Sequence, residues 1–345
     1  MSEKLSAIQQ WLTTAEQPAY RFKQIEQAWY TTAGWSAVTA LPLAIRTKLS
    51  EQFPWYSFSD SKVFTSPRDG TQKALLTLID NAKIETVLMP NARGTQTVCV
   101  SAQVGCGMGC TFCATGTMGL QRNLTSDEII DQVRFWQQQP NHNITNVVFM
   151  GMGEPLANYD AVKVALNTLI DKLNIGKTRI VLSTVAFPAG LKRLINDETF
   201  PDVRIAISLH AGTDATRKKI VPSHKHNSIK QIVQGIEQYL AARHNRRHHL
   251  TVEYVMLFNV NDLPSEATAL VKTFSHLKDQ VRFNLIPWNQ TTAALQRSSE
   301  EHLQQFQQIL EQGGLHSTVR YSKGLDITAA CGQLAAQAVS QAQSI

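Results

Sequence analysis

The stretch GCGMGCTFCATG, residues 105–116, places Cys106, Cys110 and Cys113 at spacings of four and three residues in a glycine-rich loop. Three cysteines in this pattern indicate an iron-sulfur site. A cubane cluster held by three cysteines leaves one iron without a protein ligand, and such an iron can bind the amino and carboxylate groups of S-adenosylmethionine. The glycines fit this interpretation because they let the backbone wrap closely around a bulky cluster without Cβ clashes.

Zinc is the main competing metal for this loop. Structural zinc normally takes four Cys or His ligands. The nearest downstream histidine, His142, lies far outside the usual ligand spacing. The pattern therefore favours an iron-sulfur cluster over zinc.

The composition is that of a globular protein acting in a reducing compartment. The chain has 345 residues, 43% of them hydrophobic and 17% charged, which is enough for one large barrel domain with an appendage or for two domains. We expect neither a leader nor a membrane span, and hence a cytoplasmic location. Five cysteines with three in one loop favour chemistry over a disulfide framework. The net charge of +6 suggests a polyanionic partner, with nucleic acid ahead of membrane.

Short β-branched runs alternate with helical stretches from Cys99 onward. This alternation predicts an α/β fold: a partial (β/α)6 barrel with helices outside, less complete than an eightfold barrel, with a doubly wound open sheet as the alternative. The predicted strands are 97–103, 146–150, 179–184, 203–209, 250–257 and 281–286, and the predicted helices are 127–138, 160–173, 229–242, 264–277 and 300–312. Thr125 and Glu128 form a capping-box pattern before the first of these helices.

Polar or glycine-containing peptides follow nearly every predicted strand at its C-terminal end. In α/β barrels that rim carries the active site, so these peptides are candidate site segments. Besides the cysteine loop they are residues 151–155 (GMGEP), 183–184 (ST), 208–210 (SLH) and 287–289 (PWN).

The first part of the chain contains helical stretches with several aromatic residues, which predict a small all-α module. We divide the chain into a helical accessory module over 1–58, a β-hairpin linker over 59–96, a barrel with a C-terminal cysteine segment over 97–335, and a tail over 336–345. The module's helices are predicted over 3–15, 21–31 and 43–52, and its aromatic residues are expected to form a core. A further strand-like piece, 317–321, leads into the AACGQL peptide that contains Cys331.

These features together resemble the radical S-adenosylmethionine family of RNA adenosine methyltransferases. The resemblance rests on the cysteine loop, GMGEP, SLH and AACGQL, and it covers essentially the whole chain. It implies a radical SAM barrel whose N-terminal module helps to grip RNA, and methylation of carbon 2 of an adenosine in 23S rRNA and of one in tRNA. A second branch methylates carbon 8 of the same rRNA adenosine and confers antibiotic resistance; the peptides GMGEPLAN and NLIPWN resemble the carbon-2 branch.

The resemblance also assigns the cofactor residues. It implies that Cys106, Cys110 and Cys113 bind a 4Fe-4S cluster and that two S-adenosylmethionine molecules are used per turnover. Electrons would come from a flavodoxin-type donor, and a monomer suffices. The residues implied to contact S-adenosylmethionine are Gly153, Glu154, Ser183, Ser208, Leu209, His210 and Asn289.

The remaining assignments concern the methyl transfer itself. By resemblance, Cys331 accepts a methyl group as a thiolate and then joins covalently to the RNA, and Cys99 resolves that adduct through a transient disulfide. Glu85 matches the family's proton acceptor. The plainer alternatives are a buried inert Cys99, an incidental thiol at Cys331 and a surface carboxylate at Glu85.

Two positions depart from the family pattern, and two rival functions stay open. Ala186 stands where glycine is more usual, and Thr328 stands where Asp is common. The rivals are a non-catalytic iron-sulfur protein that binds RNA, and a different radical enzyme. Neither rival accounts for Cys331 in AACGQL.

Overall fold

The computed structural model describes residues 2–140, 142–223, 227–243 and 249–336. Of the predicted tail, only Ala336 lies within the described residues. Within these ranges, no helix combines the length and hydropathy that a membrane span requires.

The N-terminal module consists of three helices around an aromatic core, as predicted. The helices are α1 (Glu3–Thr14), α2 (Tyr20–Trp29) and α3 (Leu43–Gln52). Trp29, Trp35 and Trp55 are buried and pack on one another, with ring centroids 4.6–5.7 Å apart. These tryptophans are therefore core residues of the module.

A ten-stranded mixed sheet forms the centre of the molecule. Its first strands, β1 (Phe58–Thr65), β2 (Gln72–Leu78) and β3 (Lys83–Pro90), are antiparallel to their neighbours, and β3 pairs with β4 (Gln96–Cys99). From β4 onward the strands are parallel, and β4 is the first of seven. The other six follow in spatial order: β7 (Ile144–Phe149), β8 (Ile180–Thr184), β9 (Arg204–Ser208), β10 (Leu250–Met256), β11 (Val281–Pro287) and β12 (Ser317–Val319). A separate two-stranded sheet contains β5 (Gln103–Gly105) and β6 (Leu120–Asn123).

The helices that connect the parallel strands confirm the predicted α/β class. They are α4 (Ala114–Thr117), α5 (Ser126–Gln137), α6 (Tyr159–Asp171), α7 (Pro188–Asn196), α8 (Asp214–Ile220), α9 (Ile229–Ala242), α10 (Pro264–Phe274) and α11 (Glu300–Gln312). The predicted capping box is present, since the Thr125 hydroxyl accepts from the Glu128 N–H and the Glu128 carboxylate accepts from the Thr125 N–H.

Two details of the sheet differ from the sequence prediction. The predicted strand 97–103 is broken after Cys99. The Val100 N–H still donates to the Val148 carbonyl of β7, but the Val100 carbonyl accepts from Gly151 and the Ala102 N–H donates to Met152, both of which follow β7. The predicted hairpin linker contains a third strand, β1, and all three of its strands continue the main sheet. The sequence prediction missed β1 because most of its residues are polar and none is buried, so the strand lacks an apolar face.

The segment after β12 crosses to the opposite edge of the sheet, where β1, β2 and β3 lie. The Gly324 N–H donates to Asp69 at 2.8 Å, the Lys73 ammonium donates to the Thr328 hydroxyl at 3.0 Å, and Lys323 donates to the Pro90 carbonyl. The sheet is therefore curved, and residues 320–336 span its opening. We call residues 320–336 the C-terminal strap.

Arg134 on α5 joins the helical module to the barrel. Its side chain is fully buried; Nε donates to the Trp29 carbonyl at 3.0 Å, and the guanidinium lies over the Trp29 ring at 4.4 Å. It pairs with the buried Asp131, whose carboxylate accepts from the Ser57 N–H at 2.7 Å. Removing this cation would leave the buried carboxylate with only the more distant Lys4 ammonium, 3.6 Å from Oδ2, as a counter-charge, which is costly.

We expect Arg134→Met to lower the free energy of unfolding by about 3–5 kcal/mol, measured by urea denaturation. Arg193→Met is the matched control, because Arg193 pairs with Asp160 at the surface. An exposed pair contributes less than about 1 kcal/mol. Equal losses in the two variants would show that burial of the pair at Arg134 has no special weight.

Candidate active site

The cysteine loop leaves β5 and returns into α4 in one tight turn. Gly116 makes this possible, because a Cβ at that position would lie 2.6 Å from the Cys110 carbonyl oxygen and 2.9 Å from its nitrogen. The backbone therefore folds back on itself with no room for a side chain. This close approach brings the three thiols of the loop to one side.

Cys106, Cys110 and Cys113 line a single cavity at the C-terminal ends of the parallel strands. They are near enough to affect one another, since charge on Cys113 and Cys106 adds to the burial that raises the pKa of Cys110 above its usual range. Burial also raises the pKa of Cys106 to about 12. Without metal the Cys106 and Cys110 thiols hold their protons, and metal binding would displace those protons.

The residues of the loop fit an iron-sulfur cluster. Thiolates are the soft ligands that iron-sulfur clusters and zinc prefer. Within the described ranges, however, no three His, Cys, Asp or Glu side chains are grouped to hold a metal ion. A cluster needs a wider arrangement, because each cysteine binds a different iron.

A buried cation beside the loop is consistent with an anionic cluster. Arg217 on α8 is 1% exposed, and its positive charge acts to lower the pKa of Cys110. Its Nη2 donates to the Val185 carbonyl at 3.0 Å. Nε and Nη1 are buried without a hydrogen-bond partner among the described residues. A cluster bound by thiolates is an anion and would compensate the buried positive charge of Arg217.

Six of the seven predicted cofactor residues line the same cavity as the cysteines. Leu209 does not, because it is fully buried in the main core while its two neighbours face the cavity. The six residues are Gly153, Glu154, Ser183, Ser208, His210 and Asn289. These residues lie close together because they lie at or just after the C-terminal ends of parallel strands, β7 to β11, that all end at this rim.

Gly153 holds the loop after β7 against the start of β5. Its φ is +98°, and a Cβ would lie 2.5 Å from the Gln103 Cβ and 2.8 Å from the Gln103 nitrogen. The Gln103 side chain in turn accepts from the Glu154 N–H at 2.8 Å. This geometry leaves the backbone of the loop as the cavity wall.

The Glu154 carboxylate organises two loops of the rim. It accepts from the Leu156 N–H at 3.0 Å and from the Val185 N–H at 2.9 Å, which ties the loop after β7 to the loop after β8. Its side chain is almost fully buried, and desolvation raises the pKa of Glu154 to about 7.

His210 presents a neutral imidazole to the cavity. Burial is the main cause that lowers the pKa of His210 to about 3, and the Val255 N–H donates to Nδ1 at 3.0 Å. The ring proton must therefore be on Nε2, which can only donate. Nearby, the hydroxyls of Ser183 and Ser208 lie 3.0 Å apart.

Cys331 lies on the C-terminal strap, which is docked directly on the cysteine loop. The Ala114 N–H donates to the Gly332 carbonyl at 2.7 Å, and the Thr115 hydroxyl donates to the Leu334 carbonyl at 2.6 Å. Asn289 donates to the Cys331 carbonyl at 3.0 Å. These bonds place a thiol that is outside the cysteine loop in the wall of the loop's own cavity.

A second cavity of about 360 Å³ lies inside the curved sheet, on the other side of the strap. Cys331 lines both cavities, which explains its exposure, and Cys99 lines the second. Burial raises the pKa of Cys99 to about 12. The accessible surface of Cys331 faces the two cavities, and desolvation by the surrounding protein still raises the pKa of Cys331 to about 11; the positive charge of Arg320 opposes both shifts. Charge on Cys331 also raises the pKa of Cys99, so the two thiols are close enough to interact electrostatically.

Glu85 lies outside the first cavity, in a buried pair with Lys73. Its Oε1 is 2.8 Å from the Lys73 ammonium, and its Oε2 accepts from the N–H groups of Ala335 and Ala336 at 2.8 and 3.2 Å. The carboxylate is 1% exposed. In this arrangement Glu85 holds the strap that carries Cys331.

Sequence reasoning missed Lys73, Arg217 and Arg320. A lysine inside the otherwise apolar run of β2 was a usable signal, because a buried ammonium needs a buried partner. Arg217 stands in the basic run TRKK and looks like a surface cation in the sequence. Nothing in the sequence marks its burial.

The structure accounts for both departures from the family pattern. Ala186 has a φ of +59°, a left-handed conformation that explains why glycine is usual there. Thr328 accepts a hydrogen bond from Lys73, so its hydroxyl supplies an acceptor where Asp is common.

Comparisons with known proteins place the chain in a class. The radical SAM superfamily model matches residues 100–270. A radical SAM methyltransferase from Sphaerobacter thermophilus superposes with a TM-score of 0.90, at 36% sequence identity, over 98% of this chain and 100% of that chain. The fold, the three-cysteine loop and the cavity thus define a radical SAM protein.

Two curated relatives narrow the class to a family. A probable dual-specificity RNA methyltransferase RlmN from Chloroflexus aurantiacus is 40% identical over 97% of this chain and 91% of its own length. One from Picosynechococcus sp. is 40% identical over 97% of this chain and 94% of its own length. The chain belongs to the RlmN family of radical SAM RNA methyltransferases, and the family implies a 4Fe-4S cluster and S-adenosylmethionine.

We expect Gly153→Ala to destabilise the protein by at least about 2 kcal/mol more than Gly94→Ala, measured by urea denaturation. Both glycines have positive φ, which costs an alanine about 1–2 kcal/mol. Nothing lies within 4 Å of a Cβ at Gly94, whereas one at Gly153 overlaps the Gln103 backbone. Equal losses would mean that Gln103 moves aside freely.

We expect the metal-free protein to lose about 3 kcal/mol of stability through Glu154 as the pH rises from about 4.5 to about 7. Its folded pKa lies above its unfolded value, so its contribution is complete below the unfolded pKa and is lost through the folded pKa. Glu154→Gln should remove this component from urea denaturation curves recorded at several pH values. Parallel pH dependences of wild type and variant would contradict the assignment.

Proposed function

We propose that the protein methylates carbon 2 of an adenosine in 23S rRNA and of one in tRNA. The observation that carries the proposal is Cys331, a thiol outside the cysteine loop that shares a cavity with the loop's three thiols. A purely structural cluster has no use for such a thiol. The dual-specificity RNA methyltransferases named above support an RNA substrate, as does the net charge of +6.

In this proposal Cys106, Cys110 and Cys113 hold a 4Fe-4S cluster, and the rim residues hold S-adenosylmethionine. When bound, the cluster and S-adenosylmethionine together supply a carbon-centred radical, the chemistry that no side chain can provide. Gly153 offers its backbone, and His210 offers an Nε2–H donor. The fully buried Oδ1 of Asn289 has no partner among the described residues and is placed to accept a hydrogen bond from a ligand.

Cys331 is the methyl carrier in this proposal. Its thiol loses a proton, and the thiolate sulfur takes the methyl group of S-adenosylmethionine by displacement, which forms S-methylcysteine and releases S-adenosylhomocysteine. Arg320 favours the thiolate, because its positive charge acts against the burial that raises the pKa of Cys331. The position of Cys331 between the two cavities lets its side chain face the cluster on one side and Cys99 on the other.

Cys99 is the resolving thiol. After the carbon on the Cys331 sulfur has joined the adenine ring, Cys99 attacks that sulfur as a thiolate and a Cys99–Cys331 disulfide forms. The electron pair of the broken carbon–sulfur bond goes to the carbon, which takes up a proton and becomes the methyl group of the product. Glu85 is the proposed acceptor of the proton that leaves the adenine ring. Both of its oxygens are engaged, so it becomes available only when Ala335 and Ala336 move away.

We also propose a flavodoxin-type electron donor, a monomeric protein and a cytoplasmic location. The helical module, with Arg134 fixing it to the barrel, is the proposed accessory grip on RNA. A base buried in folded RNA must be extruded from its stack to reach the cavity.

The test is an anaerobic reaction of iron-reconstituted protein with protein-free large-subunit rRNA, S-adenosylmethionine and reduced flavodoxin, followed by mass spectrometry of the digested nucleosides. We expect 2-methyladenosine from wild type and none from Cys331→Ala, because that variant lacks the methyl carrier. Cys331→Ala should keep the iron content and visible absorption of the cluster. Cys106→Ala, the matched control, should lose both.

Each other result has a defined meaning. Formation of 2-methyladenosine by Cys331→Ala would refute the S-methylcysteine route. Formation of 8-methyladenosine by wild type would assign the protein to the other branch. Unmodified adenosine from wild type with an intact cluster would refute the rRNA assignment.

A further inference from the structure

Arg217 is a buried cation that the proposed reaction does not use. It lies on α8, and only 1% of it is exposed. Burying a guanidinium away from water is costly unless an anion or a set of acceptors compensates. One neutral carbonyl, that of Val185, accepts from its Nη2, while Nε and Nη1 have no hydrogen-bond partner among the described residues.

The structure ties α8 to the cysteine loop. The Thr111 N–H, next to Cys110, donates to the Ile220 carbonyl at the end of α8 at 3.0 Å. The negative form of Cys110 is the largest electrostatic influence that raises the pKa of Arg217, with Asp214 contributing in the same direction. Burial still lowers that pKa to about 10, so the guanidinium is charged at neutral pH.

The same arginine is connected to the rim of the cavity. The Val185 carbonyl accepts from Arg217, and the Val185 N–H donates to the Glu154 carboxylate. A positive charge thus lies behind Cys110, outside the residues that line the cavity. It can act on a cluster electrostatically without occupying the space of S-adenosylmethionine.

We propose that Arg217 is the counter-charge of the iron-sulfur cluster and raises the reduction potential of the cluster. Reduction by one electron adds one negative charge to the cluster, and a buried cation beside one of its ligands stabilises the reduced form more than the oxidised form. This inference rests on the cluster ligation proposed above.

The test is a redox titration of the reconstituted, full-length protein with dithionite as reductant, followed by electron paramagnetic resonance of the reduced cluster. Arg217→Gln keeps a donor for the Val185 carbonyl but removes the charge. We expect at least a tenfold fall in the ratio of reduced to oxidised cluster at a fixed potential, equivalent to about 59 mV for one electron. Arg217→Lys keeps the charge and should shift the ratio less than Arg217→Gln does.

Lys218→Gln is the matched control, because it removes one positive charge from the same helix at an exposed position. Solvent screens that charge, so the midpoint should match wild type. A wild-type midpoint in Arg217→Gln, or equal shifts in Arg217→Gln and Arg217→Lys, would overturn the inference.

Iron content separates this inference from the proposed function. If wild type itself takes up no cluster, the cluster ligation fails. If Arg217→Gln binds less iron while Arg217→Lys binds as much as wild type, the counter-charge is supported. If both variants lose the cluster equally, Arg217 has only a packing role and the inference is wrong.

Discussion

The hydrogen bond from the Ala114 N–H to the Gly332 carbonyl joins the two parts of the active site. The cavity is complete only when the C-terminal strap, residues 320–336, lies against the cysteine loop, residues 105–116. The bond is backbone to backbone, so it fixes the position of the strap whatever the neighbouring side chains are. Thr115 and Asn289 also donate hydrogen bonds to the strap, at the carbonyls of Leu334 and Cys331. Glu85 accepts from the Ala335 N–H of the strap, and Lys73 donates to its Thr328 hydroxyl.

The site also depends on controlled burial. Desolvation favours the neutral form of Glu154, of His210 and of the Cys106 and Cys110 thiols. A dry cavity of this kind strengthens electrostatic interactions and excludes water from reactive species. Charged groups around the cavities are therefore few, and each of them has a large effect on the thiols near it. Arg320 lies towards the second cavity and Arg217 lies behind the cysteine loop, so the two cations act on different thiols.

Periodicity and spacing predicted the parts of this structure that repeat. The alternation of strands and helices predicted the parallel sheet, and the rim peptides predicted which residues would face one cavity, because parallel strands end at one edge. Single residues were harder. Leu209 stands between two cavity residues, yet strand alternation turns its side chain into the core. The ion pair and hydrogen bonds of Glu85 could not be foreseen either. The strap is brought to Glu85 by tertiary folding over 250 residues, and Lys73 is brought to it by the pairing of β2 with β3. Burial of Arg217 depends on packing of a short helix that no pattern marked.

The C-terminal strap has a consequence for how the protein is made. The strap bonds to the cysteine-loop helix across 219 residues and to the first strands across 255. At about 5–20 residues per second, the three loop cysteines leave the ribosome roughly 10–40 s before the strap exists. The three loop thiols are thus present while the cavity still lacks the wall that the strap forms. Synthesis therefore has a fixed order, in which the three loop thiols are made well before residues 320–336 close one side of their cavity.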